Sequence, residues 1–377
     1  MASGDRWRAS NISLDGPVKR VPTLSFSPCA TKLAIGNGTT VQIWDVNPPK
    51  MLFTCNGHRG DVDDLFWSPD GTVLLSTSNC GEILCWDPRI GAQLGRPLEG
   101  RSKWVGNLAW RPCHLEAPCR RFACARANAG TSVFDVMSLT PAKHLAGQNH
   151  MVTCLRWSGE NFIVAGCDDG WIMVWDSTFE LTRTLQGHSQ KVNSIELTTD
   201  FALRFGPYGG GEWATPEEMR AVAQRTFNMR KGDREEMMVS SSADGTIGLW
   251  IVRRNALINR IRAHDTPRAQ IAFSPNGDLV ASCCKDSIKV LNAANGSCVA
   301  VWKPNSGKIS HIRWSPDGRF LLSVGDADSF VKIWDYNKQQ LMAKVACGTK
   351  IRVVDWSPGG LVIAVGNNDG FTLFTAR

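Results

Sequence analysis

Four potential zinc ligands lie in one short stretch of the sequence, and they have the clearest capacity for metal chemistry. They are Cys113, His114, Cys119 and Cys124. Structural zinc sites usually contain closely paired ligands such as Cys-X-X-Cys, because the metal needs four donors held in a tetrahedron. This stretch contains no such pair, and Asp326 and Asp328 match only a fragment of a calcium loop. We therefore predict no metal site.

Motifs that carry catalysis are also missing from the sequence. Gly307-Lys308 lacks the upstream glycine and the following Ser or Thr of a phosphate-binding loop. The chain contains neither the Gly-X-Ser-X-Gly of a nucleophile elbow nor the His-Glu-X-X-His of a zinc protease. We predict no catalytic residue, no cofactor and no enzymatic activity.

Bulky residues, most of them aromatic, recur about every 40 residues along the chain, which indicates an internal repeat. The first column, often followed by Ser-Pro, consists of Phe26, Trp67, Trp110, Trp157, Leu197, Phe273, Trp314 and Trp356. The second column follows alternating apolar residues and consists of Trp44, Trp86, Phe134, Trp175, Trp250, Leu291, Trp334 and Phe374. Alternation with a period of two residues, bounded by Gly and Asp turns, predicts β-strands.

Eight units with four short strands each predict an all-β fold. Their length and pattern are similar to those of an eight-bladed WD-repeat β-propeller, here with a helical insertion in blade five. One small sheet cannot bury both of its faces, so the blades must stack in a ring. We predict one domain over residues 1–377. Residues 1–16 supply the strand that closes the last blade, and residues 201–236 form the insertion, with a helix from Pro216 to about Phe227.

The units resemble WD repeats in a second way, through a buried set made by a Gly-His, a turn Asp and the second-column Trp. Blade five carries the whole set, whereas blade two has Cys80 at the Asp position and blade four has Gln148 at the His position. The resemblance therefore implies a structural role for the His residues. It assigns to this blade network His58, Trp86, Asp169, Trp175, His188, Asp244, Trp250, Asp328 and Trp334.

Loops at one rim of such a propeller carry a column of residues that includes several cations. The binding candidates on and beside this column are Arg20, Lys103, Trp104, Lys191, Arg268, Lys308 and Lys350. Together with the net charge of +7, a ring of cations suits an acidic partner, either RNA phosphate or a protein. The alternative is that Lys and Arg are simply common at exposed loop tips.

Segments around the insertion make the resemblance more specific, because they are similar to Notchless proteins. Residues 191–204 read KVNSIELTTDFALR, residues 225–232 read RTFNMRKG, and residues 81–88 read GEILCWDP. The insertion itself is open to two interpretations, a tolerated surface loop or a partner-binding element. Its mixed charges favour a solvated helix over a phosphate clamp.

The Notchless resemblance implies a non-catalytic scaffold in large ribosomal subunit biogenesis that docks on pre-ribosomal particles. Partners would then be pre-60S ribosomal particle proteins and rRNA, with no membrane contact. Notchless proteins have a ubiquitin-like domain that engages a midasin-type ATPase, and only about 16 residues precede the first repeat here, which weighs against that partner.

The remaining expectations concern location and alternative roles. The resemblance implies the nucleolus and nucleus, while the odd number of cysteines, 13, fits reduced thiols and keeps the cytoplasm open. We expect a monomer within a larger complex. The alternative function is a generic protein-interaction adaptor of another complex, such as a ligase or signalling scaffold.

Overall fold

The computed structural model describes residues 7–13, 20–99, 105–126, 130–138, 140–200, 215–264, 270–285, 287–304, 308–325 and 329–376. Its strands form eight four-stranded antiparallel sheets, which we number as blades one to eight in chain order. The eight-bladed all-β propeller predicted from the sequence is confirmed. Within the described part, no helix is both long and apolar enough to cross a membrane.

The first four blades run in order along the chain. Blade one consists of β2 (Leu24–Phe26), β3 (Lys32–Asn37), β4 (Thr40–Val46) and β5 (Pro49–Asn56). Blade two consists of β6 (Val62–Trp67), β7 (Leu74–Ser78), β8 (Glu82–Asp87) and β9 (Ala92–Glu99). Blade three consists of β10 (Val105–Trp110), β11 (Arg121–Arg126), β12 (Gly130–Asp135) and β13 (Pro141–Leu145). Blade four consists of β14 (Val152–Trp157), β15 (Ile163–Cys167), β16 (Trp171–Trp175) and β17 (Leu181–Gln186).

The other four blades contain the only long helix of the described residues and the ring closure. Blade five consists of β18 (Val192–Leu197), helix α1 (Pro216–Lys231), β19 (Met237–Ser242), β20 (Thr246–Ile251), a short 3₁₀ turn (Val252–Arg254) and β21 (Ala256–Arg262). Blade six consists of β22 (Gln270–Phe273), β23 (Leu279–Cys283), β24 (Ile288–Asn292) and β25 (Cys298–Trp302). Blade seven consists of β26 (Ile309–Trp314), β27 (Phe320–Gly325), β28 (Phe330–Asp335) and β29 (Gln340–Ala346). Blade eight consists of β30 (Val353–Trp356), β31 (Val362–Gly366), β32 (Gly370–Ala376) and β1 (Trp7–Ser13).

Blade eight joins the two ends of the chain. Strand β1 pairs with β32 in antiparallel register, from Trp7 opposite Ala376 to Ser13 opposite Gly370. Strand β1 therefore covers the backbone edge of β32, which would otherwise be free to pair with other chains. Next to it, Val21 of the loop before β2 donates its amide to Asn367 O at 2.9 Å, which ties blade one to blade eight.

Apolar side chains between neighbouring blades form the core of the ring. The cluster between blades one and two, for example, contains Ile43, Leu65, Trp67 and Trp86, all buried. Indoles of the first column also bridge blades, since Trp67 Nε1 donates to Ser25 O at 3.0 Å and Trp314 Nε1 donates to Ala272 O at 3.1 Å. Each such ring thus supplies both buried apolar area and a hydrogen bond across the blade boundary.

The ring has two distinct faces. Loops that enter the first strand of each blade lie on what we call the upper face, and turns between the first and second strands lie on the lower face. Helix α1 connects β18 to β19, so the insertion belongs to the lower face of blade five.

Helix α1 begins as the sequence predicts and ends later. Thr215 Oγ1 accepts the Glu218 amide at 3.1 Å, and Pro216 is the first helical residue. The predicted end near Phe227 was wrong, because the helix continues through Lys231 to Gly232, whose φ of 58° suits a glycine cap. Arg230 and Lys231 in the last turn favour this extension, since cations stabilise the negative end of the helix dipole.

Candidate interaction surface

The blade network of blade five is a continuous chain of hydrogen bonds. Trp250 Nε1 donates to Ser240 Oγ at 2.8 Å, and Ser240 Oγ lies 2.7 Å from His188 Nε2. His188 Nδ1 lies 3.0 Å from Thr246 Oγ1 and 3.5 Å from a carboxylate oxygen of Asp244. The His188 imidazole is buried, which lowers its pKa and favours the neutral form. A neutral ring with its proton on Nδ1 satisfies every group in this chain.

Blade two builds the same network with a different acid. Trp86 Nε1 donates to Ser76 Oγ at 2.7 Å, and His58 Nε2 lies 2.6 Å from the same oxygen. Cys80 occupies the usual Asp position, but Glu82 places a carboxylate oxygen 3.5 Å from His58 Nδ1. Glu82 also accepts the Arg59 amide at 3.0 Å, as Asp244 accepts the Ser189 amide at 2.9 Å in blade five.

Sequence reasoning missed Glu82 and the serines at the centre of these networks. Ser76 and Ser240 stand ten residues before Trp86 and Trp250, and that spacing was the available signal. The serine also recurs in blades whose His or Trp has been replaced. Ser282 Oγ lies 2.8 Å from His264 Nε2 in blade six, and Ser323 Oγ accepts Trp334 Nε1 at 2.8 Å in blade seven.

Blade four departs from this pattern, and Asp328 of blade seven lies outside the described residues. With Gln148 in place of His, Trp175 Nε1 donates instead to Ala146 O at 2.9 Å. Asp169 caps the Trp171 amide at 3.0 Å, and its other oxygen lies 3.4 Å from the exposed ring of His150. In blade four the turn carboxylate therefore faces the surface.

Some of the binding candidates proposed for the rim lie among the residues that the structure describes, and others do not. Lys103, Trp104 and Arg268 lie outside the described residues. Four cations are exposed on the upper face, each at or just before the start of a first strand: Arg20, Lys191, Lys308 and Lys350. The Lys191 carbonyl accepts the Ala243 amide at 2.9 Å, so the backbone that presents this side chain is held by the turn after β19.

The opposite face carries the insertion, which packs on its own propeller. The Phe227 ring of α1 stacks on His114 of blade three, with ring centroids 4.3 Å apart. Arg220 Nε donates to His114 O at 3.0 Å, and Lys231 Nζ lies 2.7 Å from Glu160 of blade four. One side of α1 therefore packs on blades three and four, while the Met229 side chain on the other side is 75% exposed.

A buried carboxylate holds the base of the insertion. Glu236 accepts the Gly159 amide at 3.0 Å, the Glu160 amide at 3.4 Å and the Thr199 hydroxyl. Burial, together with the nearby carboxylates of Glu160 and Asp200, raises the pKa of Glu236 to about 7. Sequence reasoning did not find Glu236 either, because the Gly159 and Glu160 amides that it accepts lie in blade four.

The four potential zinc ligands serve in packing. His114 Nε2 lies 2.9 Å from Gly159 O, and Cys113 and Cys119 pack under Ala223 of α1. Burial raises the pKa of Cys124 to about 12, which keeps the thiol protonated. In the part of the chain that the structure describes, the one group of three metal-type ligands with close donor atoms is elsewhere, on the upper face: His150, Asp168 and Asp169.

The central channel is lined by the first strands and encloses a cavity of about 390 Å³. Its charged groups join neighbouring elements. Glu196 accepts the Phe273 amide at 3.0 Å, and Asp355 accepts the Phe26 amide at 3.2 Å, each across a blade boundary. Arg156 Nε lies 3.4 Å from Asp200.

Comparisons with known proteins agree with the fold and include Notchless and ribosome assembly proteins among the relatives. The family described as "WD domain, G-beta repeat" matches residues 49–87 and 139–176, and the "Anaphase-promoting complex subunit 4 WD40 domain" family matches residues 271–359.

The chain is 33% identical to Protein Notchless of Drosophila melanogaster, over 70% of this chain and 56% of that protein. It is 36% identical to the Notchless protein homolog of Arabidopsis thaliana, over 78% and 63%. It is 31% identical to Ribosome assembly protein 4 of Saccharomyces cerevisiae, over 78% and 59%. The alignments thus span less than two thirds of each relative.

Proposed function

We propose that this chain, a WD-repeat β-propeller that resembles Notchless proteins, is a non-catalytic scaffold in the biogenesis of the large ribosomal subunit. The observation that carries the proposal is the similarity to relatives named as Notchless and as ribosome assembly proteins. It extends over 70–78% of this chain, far beyond a single repeat. In this role the protein works in the nucleolus and nucleus as a monomer docked on a pre-60S particle.

The upper face supplies the docking surface in this proposal. Arg20, Lys191, Lys308 and Lys350 come from four different blades and are exposed on the same side of the ring. A rigid ring that holds cations at fixed positions suits the phosphate backbone of a folded rRNA, because each contact releases condensed counterions. Since phosphate contacts carry no sequence information, this surface binds RNA by its shape and charge.

Sedimentation tests the proposal. Tagged protein is expected to co-sediment with precursor large subunits in a sucrose gradient and to leave that fraction when the lysate is treated with RNase. The quadruple variant Arg20→Gln, Lys191→Gln, Lys308→Gln and Lys350→Gln is expected to shift to the light fractions.

A matched variant separates surface charge in general from the upper face in particular. Lys50→Gln, Arg96→Gln, Lys143→Gln and Lys338→Gln remove the same number of exposed cations from outer strands and lower turns. This variant should stay in the precursor fraction. Absence of the wild-type protein from the precursor fraction would contradict the ribosomal proposal.

A second candidate is an adaptor of another complex, favoured by the match of residues 271–359 to the WD40 domain of an anaphase-promoting complex subunit. That match covers blades six and seven and the start of blade eight. In the same gradient an adaptor would migrate in an RNase-resistant complex that lacks rRNA, which distinguishes the two candidates.

A further inference from the structure

A partly exposed tryptophan lies on the upper face at blade four. Trp171 stands at the upper end of β16 and is 40% exposed, and Met151, just before β14 of the same blade, is 37% exposed. Six of the seven other blades have a small or polar residue four places before the second-column residue, and blade seven has Phe330. The six are Thr40, Glu82, Gly130, Thr246, Ser287 and Gly370. Because a large part of this indole faces solvent instead of packing on the protein, it suits a binding role.

Two aspartates belong to the turn that immediately precedes this tryptophan. Asp169 Oδ1 accepts the Trp171 amide at 3.0 Å, and Asp168 Oδ1 accepts the Met151 amide at 3.1 Å. Their side chains are 21% and 40% exposed, whereas the corresponding Asp244 of blade five is 6% exposed. In this blade, where Gln148 stands at the position of the buried His, Asp169 is more exposed than Asp244 and lies 3.4 Å from His150.

Blade seven shows what an aromatic ring at this position can hold. Phe330 occupies the place of Trp171, and Lys344 Nζ lies 4.0 Å from the centre of its ring. Lys344 is opposite Lys332 in β28, and the matching residue in blade four, opposite Met173, is Thr184. No cation–π contact to Trp171 is found among the described residues.

We propose that Trp171, Asp168 and Asp169 bind a lysine or arginine side chain from an extended segment of a partner protein. The indole face attracts the cation, and the two carboxylates pair with it. Met151 offers apolar contact to the residue beside that cation. The backbone carbonyls of His188 and Gln190 lie close to Gly170, and Lys191 comes directly after them. Because the positive charge of Lys191 repels a second cation, the segment that fits has one cation flanked by apolar residues.

The ligand of this site differs from that of the rRNA contacts proposed above. The site takes a protein segment of positive charge, whereas the four rim cations take a negative polymer. Loss of one activity therefore leaves the other measurable.

The experiment uses the whole chain labelled with 5-fluorotryptophan and followed by fluorine NMR. The probe is an acetylated, amidated Leu-Leu-Lys-Leu peptide, with the Lys replaced by Glu as the negative control. Trp171→Thr identifies the Trp171 resonance among the 15 tryptophans by its absence, and Thr is the residue that blades one and five carry at this place. The Trp171 resonance is expected to shift with the Lys peptide and to stay fixed with the Glu peptide.

Binding affinities complete the test. Trp171→Thr is expected to weaken binding of the Lys peptide at least about tenfold, as for an interface hot spot, and Asp168→Asn several-fold. Ile90→Ser, which removes another exposed apolar side chain on the lower face, should leave the affinity unchanged. A folded Trp171→Thr protein that binds the peptide as tightly as wild type, or a Trp171 resonance that never moves, overturns the proposal.

Discussion

A single serine hydroxyl connects two large side chains in the best-formed blade. Ser240 Oγ accepts the indole proton of Trp250 and lies 2.7 Å from His188 Nε2, and all three side chains are buried. Without that hydroxyl, a buried N–H donor and a buried ring nitrogen both lose their partner. The cost of such orphaned groups exceeds the value of an average hydrogen bond.

Ser240→Ala is therefore expected to destabilise the protein by about 2 kcal/mol, measured as a shift of the urea midpoint at constant slope. Ser177→Ala, at an exposed turn of blade four, is the matched control and should have little effect. Equal stability of the two variants would show that the blade tolerates an open network.

Sequence patterns found some of these residues and not others for a physical reason. His188, Asp244 and Trp250 stand at fixed distances from a turn and a strand end, so a repeat pattern reveals them. Ser240 and Glu82 act through contacts made in the folded blade, and the acid in particular can come from different positions, Asp244 in blade five and Glu82 in blade two. Recognising Glu82 as the acid of blade two needs the position of its carboxylate relative to His58.

At the scale of the element, helix α1 is held by a close contact with a glycine. A Cβ atom added at Gly159 would lie 2.1 Å from a ring carbon of Phe227, so an alanine there forces the ring away. Because Gly159 does not occupy the left-handed region, alanine fits its own backbone and only the helix contact is disturbed.

Gly159→Ala is expected to loosen α1 while the blades stay folded. Amide exchange in residues 216–231 should accelerate about tenfold or more, with little change in β14 or β15. Gly359→Ala in the lower turn of blade eight meets no atom within 4 Å and should leave exchange in α1 unchanged. Unaltered protection of the helix in Gly159→Ala would mean that its other contacts suffice.

The carboxylate under the insertion makes stability depend on pH. The folded-state pKa of Glu236 is about 7, above its usual value of 4.5, so the folded protein favours the protonated form. Stability from this group is complete below about pH 4.5 and declines as the pH rises to 7, by about 3 kcal/mol. His58 and His188 act in the opposite direction, because their lowered pKa values cost stability as the pH falls below 6.5.

Comparison with Glu236→Gln isolates the glutamate, since both histidines remain in the variant. The unfolding free energy of wild type relative to Glu236→Gln is expected to decrease between pH 4.5 and 7 and to be constant above pH 8. Urea titrations at these pH values measure it. A difference that does not vary with pH would show that Glu236 stays ionised when buried.

At the scale of the whole molecule, the ring of blades could be predicted from the sequence, but the surface on which helix α1 packs could not. The aromatic and apolar columns report burial in each blade, and burial in every repeat requires a closed stack. Phe227, in contrast, packs on His114 and Gly159, which belong to blades three and four. Contacts between residues so distant in sequence leave no periodic pattern.

The arrangement of charge over the whole ring gives the last prediction. If Arg20, Lys191, Lys308 and Lys350 each neutralise one phosphate, they contribute about 3 to the slope of log Kd against log salt concentration, at about 0.7 per contact with a single strand. The quadruple Gln variant should lose that part of the slope when fluorescein-labelled oligouridine is titrated by anisotropy. The variant of Lys50, Arg96, Lys143 and Lys338 should retain it, because those cations lie away from the upper face. Equal losses in both variants would mean that net charge, rather than the cations of the upper face, governs binding, since the slope counts only the cations that neutralise a phosphate.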